Sequence, residues 1–481
     1  MSDIQSQNLK TSAIKGMVWK FLENIGTQMM QLAIQIVLAR LLLPEEYGLV
    51  GLLAIFITIS DVIIMQGLTT ALIQKKDADE VDFSSVFYAN LIVSVVLYII
   101  LFFISPLIAE FYHEPALKGI MRVLCLNVII GAVPAVHNAI LSRNLEFKKS
   151  FYRNISNIVT QGIVGISLAY AGFGVWALVF SKISGMLVGT AVLCTTVKWR
   201  PKKYFDLSRI KSLFSFGSKV LGTNLLNTVF DNIHSLIIGR YFTAADLGHY
   251  QRGQQIPQLA MGAVEGSLAA VLYPTFSKLQ NDITALKNAL RRSIKISMFL
   301  VLPILFGVFA VSEPLTVFLL TEKWLPSVPY MQLACFVCMF WPLGQRRHAL
   351  NALGKSGLTF KISLFGKSIT LVAIFLCLRW GIYSIMIGTI ISSAINMWIT
   401  SWYVKKHIDY KIRELAQDIL PSLVLSTFMA LVVMGVGLLN LPLFAKLVLQ
   451  VLTGVAVYII GAKIFRFESM TYVLNTIFKK R

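Results

Sequence analysis

Charge is scarce in this chain. Only 14% of its 481 residues are charged while 56% are hydrophobic, and a soluble domain carries about 25% charge. With a mean hydropathy of +0.71, a soluble globular protein is excluded. Acids are the scarcer sign, 23 against 44 Lys and Arg, for a net charge of +21. Such a surplus invites a nucleic-acid reading, but the bases lie between apolar windows and form no RNA- or DNA-binding motif, so no nucleic acid is expected. Cysteine is limited to five residues, all inside apolar windows. Cys335-x-x-Cys338 is half a zinc site with no second pair or nearby histidine, and it reads as helix packing. A P-loop is missing, which removes ATP as the power source, and there is no H-x-x-x-x-D signature or clustered metal-ligand spacing to suggest an enzyme. Residues 1–16 lack a cleavable signal-peptide pattern, so the first apolar helix is expected to be a retained span.

What is present is a near-continuous series of apolar windows of about 20 residues, the length that crosses a bilayer core. They predict an all-α polytopic membrane protein with about fourteen helices: 17–42, 47–70, 84–110, 116–141, 153–172, 174–197, 217–240, 247–274, 294–320, 328–352, 359–379, 381–404, 419–439 and 443–464. Alternate connections hold the lysines and arginines, among them Lys75 and Lys76, Arg143 to Arg153, Lys198 to Lys211, Lys278 to Arg292, and Lys405 to Arg413. By the positive-inside rule these are cytoplasmic, with both termini, Lys10 and Lys15 and the tail Lys479-Lys480-Arg481 on the same side. The opposite connections are short, leaving no room for an external catalytic domain. Two cytoplasmic stretches, Lys202 to Phe216 and Ile283 to Ile294, mix apolar and basic residues as an interfacial helix would, or as a solvated linker would.

One stretch occurs twice. Ala39-Arg40-Leu41-Leu42-Leu43-Pro44-Glu45-Glu46-Tyr47-Gly48 maps onto Gly239-Arg240-Tyr241-Phe242-Thr243-Ala244-Ala245-Asp246-Leu247-Gly248 by adding 200. Arginine, acid and glycine each fall on their counterpart. Six helices separate the copies, so both cross in one direction and the repeat is parallel. The chain is therefore divided into a lobe of helices 1–6 (residues 1–203), a lobe of helices 7–12 (204–404) and a final helix pair with its tail (405–481).

Ionisable groups inside membrane helices are site candidates because they are costly unless they face protein or water. Most here are cations: Arg122, Lys182, Arg252, Arg346, Arg347 and Lys367, a set that suits an anion, since a guanidinium matches phosphate oxygens in bidentate fashion. The competing reading is that some snorkel to the headgroups or pair with acids. Asp61, Asp231 and Glu265 are the acids available for such pairing or for ion coupling. Uncharged amides form a second set. Asn24, Gln28, Gln31 and Gln35 stripe one face of the first helix, and Asn224, Asn227 and Gln255 lie in the second lobe; they suit sugar hydroxyls or, alternatively, bonds between helices. No cofactor is called for. Transport runs down a gradient or couples to H+ or Na+, and both stand.

Three connection motifs carry a resemblance. Leu141-Ser142-Arg143-Asn144-Leu145-Glu146-Phe147-Lys148-Lys149, Leu272-Tyr273-Pro274-Thr275-Phe276-Ser277-Lys278-Leu279-Gln280-Asn281-Asp282, and Glu322-Lys323-Trp324 followed by Pro329 and Gln332-Leu333 resemble the Wzx-type polysaccharide flippases. The match is to their colanic-acid-exporter-like branch, in the superfamily that also holds the multidrug and toxin extrusion transporters. The resemblance runs from Gly16 to the final helix pair. It implies movement of undecaprenyl-pyrophosphate-linked oligosaccharides across the bacterial inner membrane by alternating access between two six-helix lobes. Membrane lipids, and the polysaccharide polymerase and export machinery, would be its partners. Two alternatives stand beside it, a cation-coupled multidrug exporter of the same fold and an integral-membrane polymerase, ligase or acyltransferase.

Overall fold

The computed structural model describes residues 26–144 and 146–471. Asn24, Lys10, Lys15 and the tail Lys479-Lys480-Arg481 lie outside them, as does the side chain of Glu265. Every regular element described is helical. In order they are α1 (26–41), α2 (Pro44–Gln66), α3 (Leu68–Gln74), α4 (Glu80–Phe111), α5 (Ala116–Leu124), α6 (Leu126–Asn144), α7 (Phe147–Tyr170), α8 (Val175–Thr196), α9 (Leu207–Asp231), α10 (Ile233–Tyr241) and α11 (Ala244–Lys278). They continue with α12 (Ile283–Ala310), α13 (Ser312–Leu320), α14 (Val328–Cys338), α15 (Gln345–Ala352), α16 (Ser356–Cys377), α17 (Ile382–Ile408), α18 (Ile412–Gly437) and α19 (Leu443–Ile464). Among the described residues, ten helical stretches are long and apolar enough to cross a membrane. The remaining expected spans fall on α1, α7, α9 with α10, and α11, where amides and hydroxyls interrupt the apolar run.

By packing, the chain divides into two compact units, Met1–Gly248 and His249–Arg481. This differs from the division at residue 203 by repeat, and the reason is local. The first helices of the second repeat, α9 and α10, lie against α2, α3 and α4. Where α9 arrives, the expected second span is broken at Gly67: a Cβ on Gly217 of α9 would stand 2.8 Å from the Gly67 carbonyl, so the approach requires glycine. The connector ahead of α9 is tied down as well. Lys202 and Asp206 donate their backbone N–H groups to Ser84 Oγ and Ser85 Oγ at 3.1 and 3.0 Å. The buried Asp82 carboxylate takes Lys75 at 2.6 Å and Arg209 at 3.3 Å. Arg143, from the first connection motif, donates to the carbonyls of Leu72, Ile73, Lys75 and Lys76, the orphan acceptors that end α3.

The repeated stretch explains itself within the first unit. Leu43 N–H donates to Glu46 Oε2 at 2.7 Å, and Thr243 N–H to Asp246 Oδ2 at 3.1 Å, so the acid shared by the two copies closes the same capping turn, at the start of α2 and of α11. The shared glycines face each other's turns. A Cβ on Gly48 would fall on the Ala244 carbonyl, and one on Gly248 on the Pro44 carbonyl. Residues 44 and 244, 48 and 248 thus exchange places, the reciprocity expected of two copies meeting about an approximate two-fold axis.

In the second unit α12 packs along α18, around a core that includes Phe276, Leu286, Leu290, Ile294, Met298 and Tyr410. Arg291 holds Asp418 through two bonds of 2.8 and 2.9 Å, and Tyr410 donates its hydroxyl to the same carboxylate at 2.8 Å. The two basic amphipathic stretches form no separate interfacial helices. Ile283–Ile294 is the opening of α12, and the earlier stretch is a connector followed by the first turns of α9.

Candidate substrate cavity

The expected tenth span, 328–352, is not one helix. It runs as α14 to Cys338, tightens into a 3-10 turn over Trp341–Gly344, and resumes as α15 at Gln345. Pro342 is the cause, because proline lacks an N–H and its ring disfavours the helical conformation of the residue before it. Irregular backbone at membrane depth is tolerated where protein or a cavity receives it. Here a cavity of about 320 Å³ opens beside the turn, lined by Trp341, Arg346, Arg347, Ser393, Asn396 and Thr400 among others.

Arg346 is 2% exposed. Its Nε donates to the Leu343 carbonyl at 3.0 Å, and one terminal nitrogen to Ser401 Oγ at 2.5 Å and the Met397 carbonyl at 3.4 Å. Among the described residues no carboxylate pairs with it. Placing an arginine at the centre of a membrane helix costs about 2.5–3.5 kcal/mol on an insertion scale, and each hydrogen bond from a charged donor returns about 1.5–3 kcal/mol. Two or three such bonds hold Arg346 in place without cancelling its charge. Arg347 is half-buried and donates to Ser363 Oγ at 3.3 Å, so both positive charges border the cavity. Behind Arg346, a buried chain links Ser293 to Gln345 at 2.7 Å and Gln345 to Ser297 at 2.6 Å, fixing α15 against α12.

The opposite wall was not singled out from sequence. Ser393, Asn396 and Thr400 come from α17, at i, i+3 and i+7, one face of a helix. Asn396 Oδ1 is buried with no hydrogen-bond partner among the described residues, and Gly366 of α16 makes room for it, since a Cβ there would come within 2.8 Å of the amide. The polar spacing on an apolar helix was the available signal, the same kind that drew attention to α1. Chemically the cavity offers two guanidinium groups for an anion, hydroxyl and amide side chains from α17, and an indole face.

The other proposed residues are spread over separate surroundings. In the first unit, Arg122 of α5 donates to Ser105 Oγ at 3.0 Å and lies 4.2 Å from the Phe102 ring centre. Asp61 of α2 is half-buried and Lys182 of α8 is exposed. Of the amide stripe on α1, Gln28 and Gln31 are exposed and Gln35 half-buried; on α9, Asn224 is half-buried while Asn227 and Asp231 are exposed. In the second unit, Arg252 is buried, bonded to Gln255 at 2.5 Å and 5.7 Å over the ring of the fully buried Trp324. Lys367 is half-buried on α16. Arg346 and Arg347 are thus brought together on one cavity wall, and Arg252 with Gln255.

The fold and cavity define a polytopic helical membrane protein with a polar site on a bent helix. The chain belongs to the polysaccharide biosynthesis protein family, whose model matches residues 37–329. It is similar to the succinoglycan biosynthesis transport protein ExoT of Rhizobium meliloti, 26% identical over 68% of this chain and 66% of that protein, just under two thirds of the relative's length. The teichuronic acid biosynthesis protein TuaB of Bacillus subtilis is 27% identical over 79% of each chain. The lipopolysaccharide biosynthesis protein WzxC of Escherichia coli is 23% identical over 82% of this chain and 81% of its own. Among solved structures, the lipid II flippase MurJ in its inward closed conformation has the same fold, with a TM-score of 0.76 at 15% identity over 93% of this chain and 98% of the other.

Proposed function

We propose that this protein is a flippase that carries undecaprenyl-pyrophosphate-linked oligosaccharide units across the bacterial inner membrane for surface polysaccharide synthesis, by alternating access. It is a transporter and not an enzyme. The observation that carries the reading is the cavity at the α14–α15 break, lined by Arg346 and Arg347, which suit an anion, and by Ser393, Asn396 and Thr400, which suit hydroxyls. Phosphate and sugar are the two chemistries of a lipid-linked glycan, and both meet in one place. Relatives in succinoglycan, teichuronic acid and lipopolysaccharide biosynthesis support the substrate class.

In this reading the two repeats are the moving parts, divided at residues 203 and 404. Both termini are cytoplasmic, the polymerase and export machinery receive the product, and Asp61 is the place for a coupling H+ or Na+. The exporter alternative would need acids beside the aromatic rings for organic cations, and the charged residues lining this cavity are the arginines Arg346 and Arg347. The test is to delete the gene and analyse lipid-linked intermediates. Accumulated lipid-linked oligosaccharide with loss of surface glycan supports the flippase; normal glycan with new drug sensitivity supports the exporter.

A further inference from the structure

A second cavity, of about 640 Å³, lies at the end of the second unit where α12 begins and α19 finishes. Its walls carry four cations, Arg291, Arg292 and Lys295 on α12 and Arg466 just past α19, and one acid, Glu468. Arg291 is anchored from behind by Asp418 and Glu414, and Lys295 reaches Glu468 at 3.3 Å and Asp418 at 3.7 Å, so the cationic wall is held in shape. Arg292 and Arg466 are exposed. Arg466 sits at φ +50°, in the left-handed region that turns the chain off the end of α19 and back along the cleft.

The rim is apolar. Ile460, Ile464 and Phe465, on the last turns of the α19 span and just beyond, are 57%, 69% and 69% exposed, surface that an acyl chain would cover. Cations at the level where membrane helices begin and end, beside apolar surface leading into the span, match an amphiphile with a phosphate head. A free phosphate would use the cations and leave that apolar surface bare.

We propose that this cleft binds the phosphate headgroup of an anionic bilayer phospholipid, as a site separate from the α14–α15 cavity. On the positive-inside reading it lies in the cytoplasmic leaflet. The lipid's phosphodiester lies among Arg292, Lys295 and Arg466, with Asn288 and Ser469 as further polar contacts, and its chains run along α19.

The experiment uses the full chain in nanodiscs of phosphatidylcholine titrated with phosphatidylglycerol, with bound lipid counted by native mass spectrometry. Phosphatidylglycerol should be retained over phosphatidylcholine. R292Q/R466Q should weaken that retention about 25-fold, at about fivefold for each basic residue removed, and K361Q, an exposed cation on α16, should leave it unchanged. Inorganic phosphate at the same concentration should not displace the lipid. Equal retention by the double variant and K361Q would overturn the site, and displacement by phosphate alone would overturn its assignment to lipid. If the double variant does not fold, R466Q alone must show the fivefold loss.

Discussion

Two arginine environments in this molecule differ in a way their local sequences do not announce. Arg122 lies at the α4–α5 corner, under an aromatic ring and bonded to a serine. Arg346 and Arg347 lie where the helix breaks at Trp341–Gly344 and a cavity opens. All three are cations within apolar windows. The first is packed against a ring and a serine and lines neither cavity, whereas the pair borders one, with Arg346 held there by two carbonyls and a hydroxyl. A membrane arginine becomes a candidate ligand when its partners are neutral and its surroundings leave room.

The largest expected effect falls on that contrast. Arg347→Ala should lower surface-glycan export at least tenfold, since losing a charge-assisted contact to a bound anion costs about 2 kcal/mol or more, while the protein still inserts. Arg346→Ala should add a folding defect of about 2–3 kcal/mol through the acceptors it strands, seen as a lower melting temperature in detergent. Next in size is a change at the reciprocal turns. Gly48→Ala drives a methyl into the Ala244 carbonyl and should cost about 1–3 kcal/mol of stability, with Gly248→Ala matching it because the contact is mutual. A lone effect at one of the two would break the symmetry argument. Arg122→Met should be milder, losing about 1 kcal/mol in thermal stability and keeping export.

The smallest effect concerns pH. Backbone N–H groups and Arg209 hold the Asp79 carboxyl below its usual value of 3.8, and Ser208 does the same for Asp206. A depressed carboxylate contributes stability above its unfolded value and loses it as pH falls through the lower folded value. Proteolysis of the 198–206 connector should therefore rise only below about pH 4, and D79N/D206N should flatten that rise.

Much of the architecture was legible because burial in a membrane leaves a one-dimensional record. Apolar windows mark spans, and the shared acids at Glu46 and Asp246 mark one capping turn used twice. Breaks were harder to see. Gly67 and Asn232 interrupt windows that look continuous, because what ends the helix at Gly67 is the arrival of α9 and not a local breaker. Pro342 was visible, yet its consequence depends on α17 lining the same cavity with Asn396 and Thr400, a neighbour more than fifty residues along the chain that no local pattern supplies. The amides of α1 were conspicuous for their spacing, while the α17 stripe was hidden by its milder side chains. Arg252 was likewise legible as a cation in an apolar window, while its packing on Trp324 and its bond to Gln255 are tertiary facts.

The central claim is that the cavity beside Arg347 holds the phosphate of the transported lipid. Its most direct measurement uses a strain deleted for this gene and supplied with the wild-type chain, Arg347→Ala or Arg122→Met at equal membrane abundance, with surface glycan and lipid-linked intermediates quantified side by side. The account predicts that Arg122→Met restores glycan and that Arg347→Ala accumulates the lipid-linked intermediate. Full restoration by Arg347→Ala would contradict it.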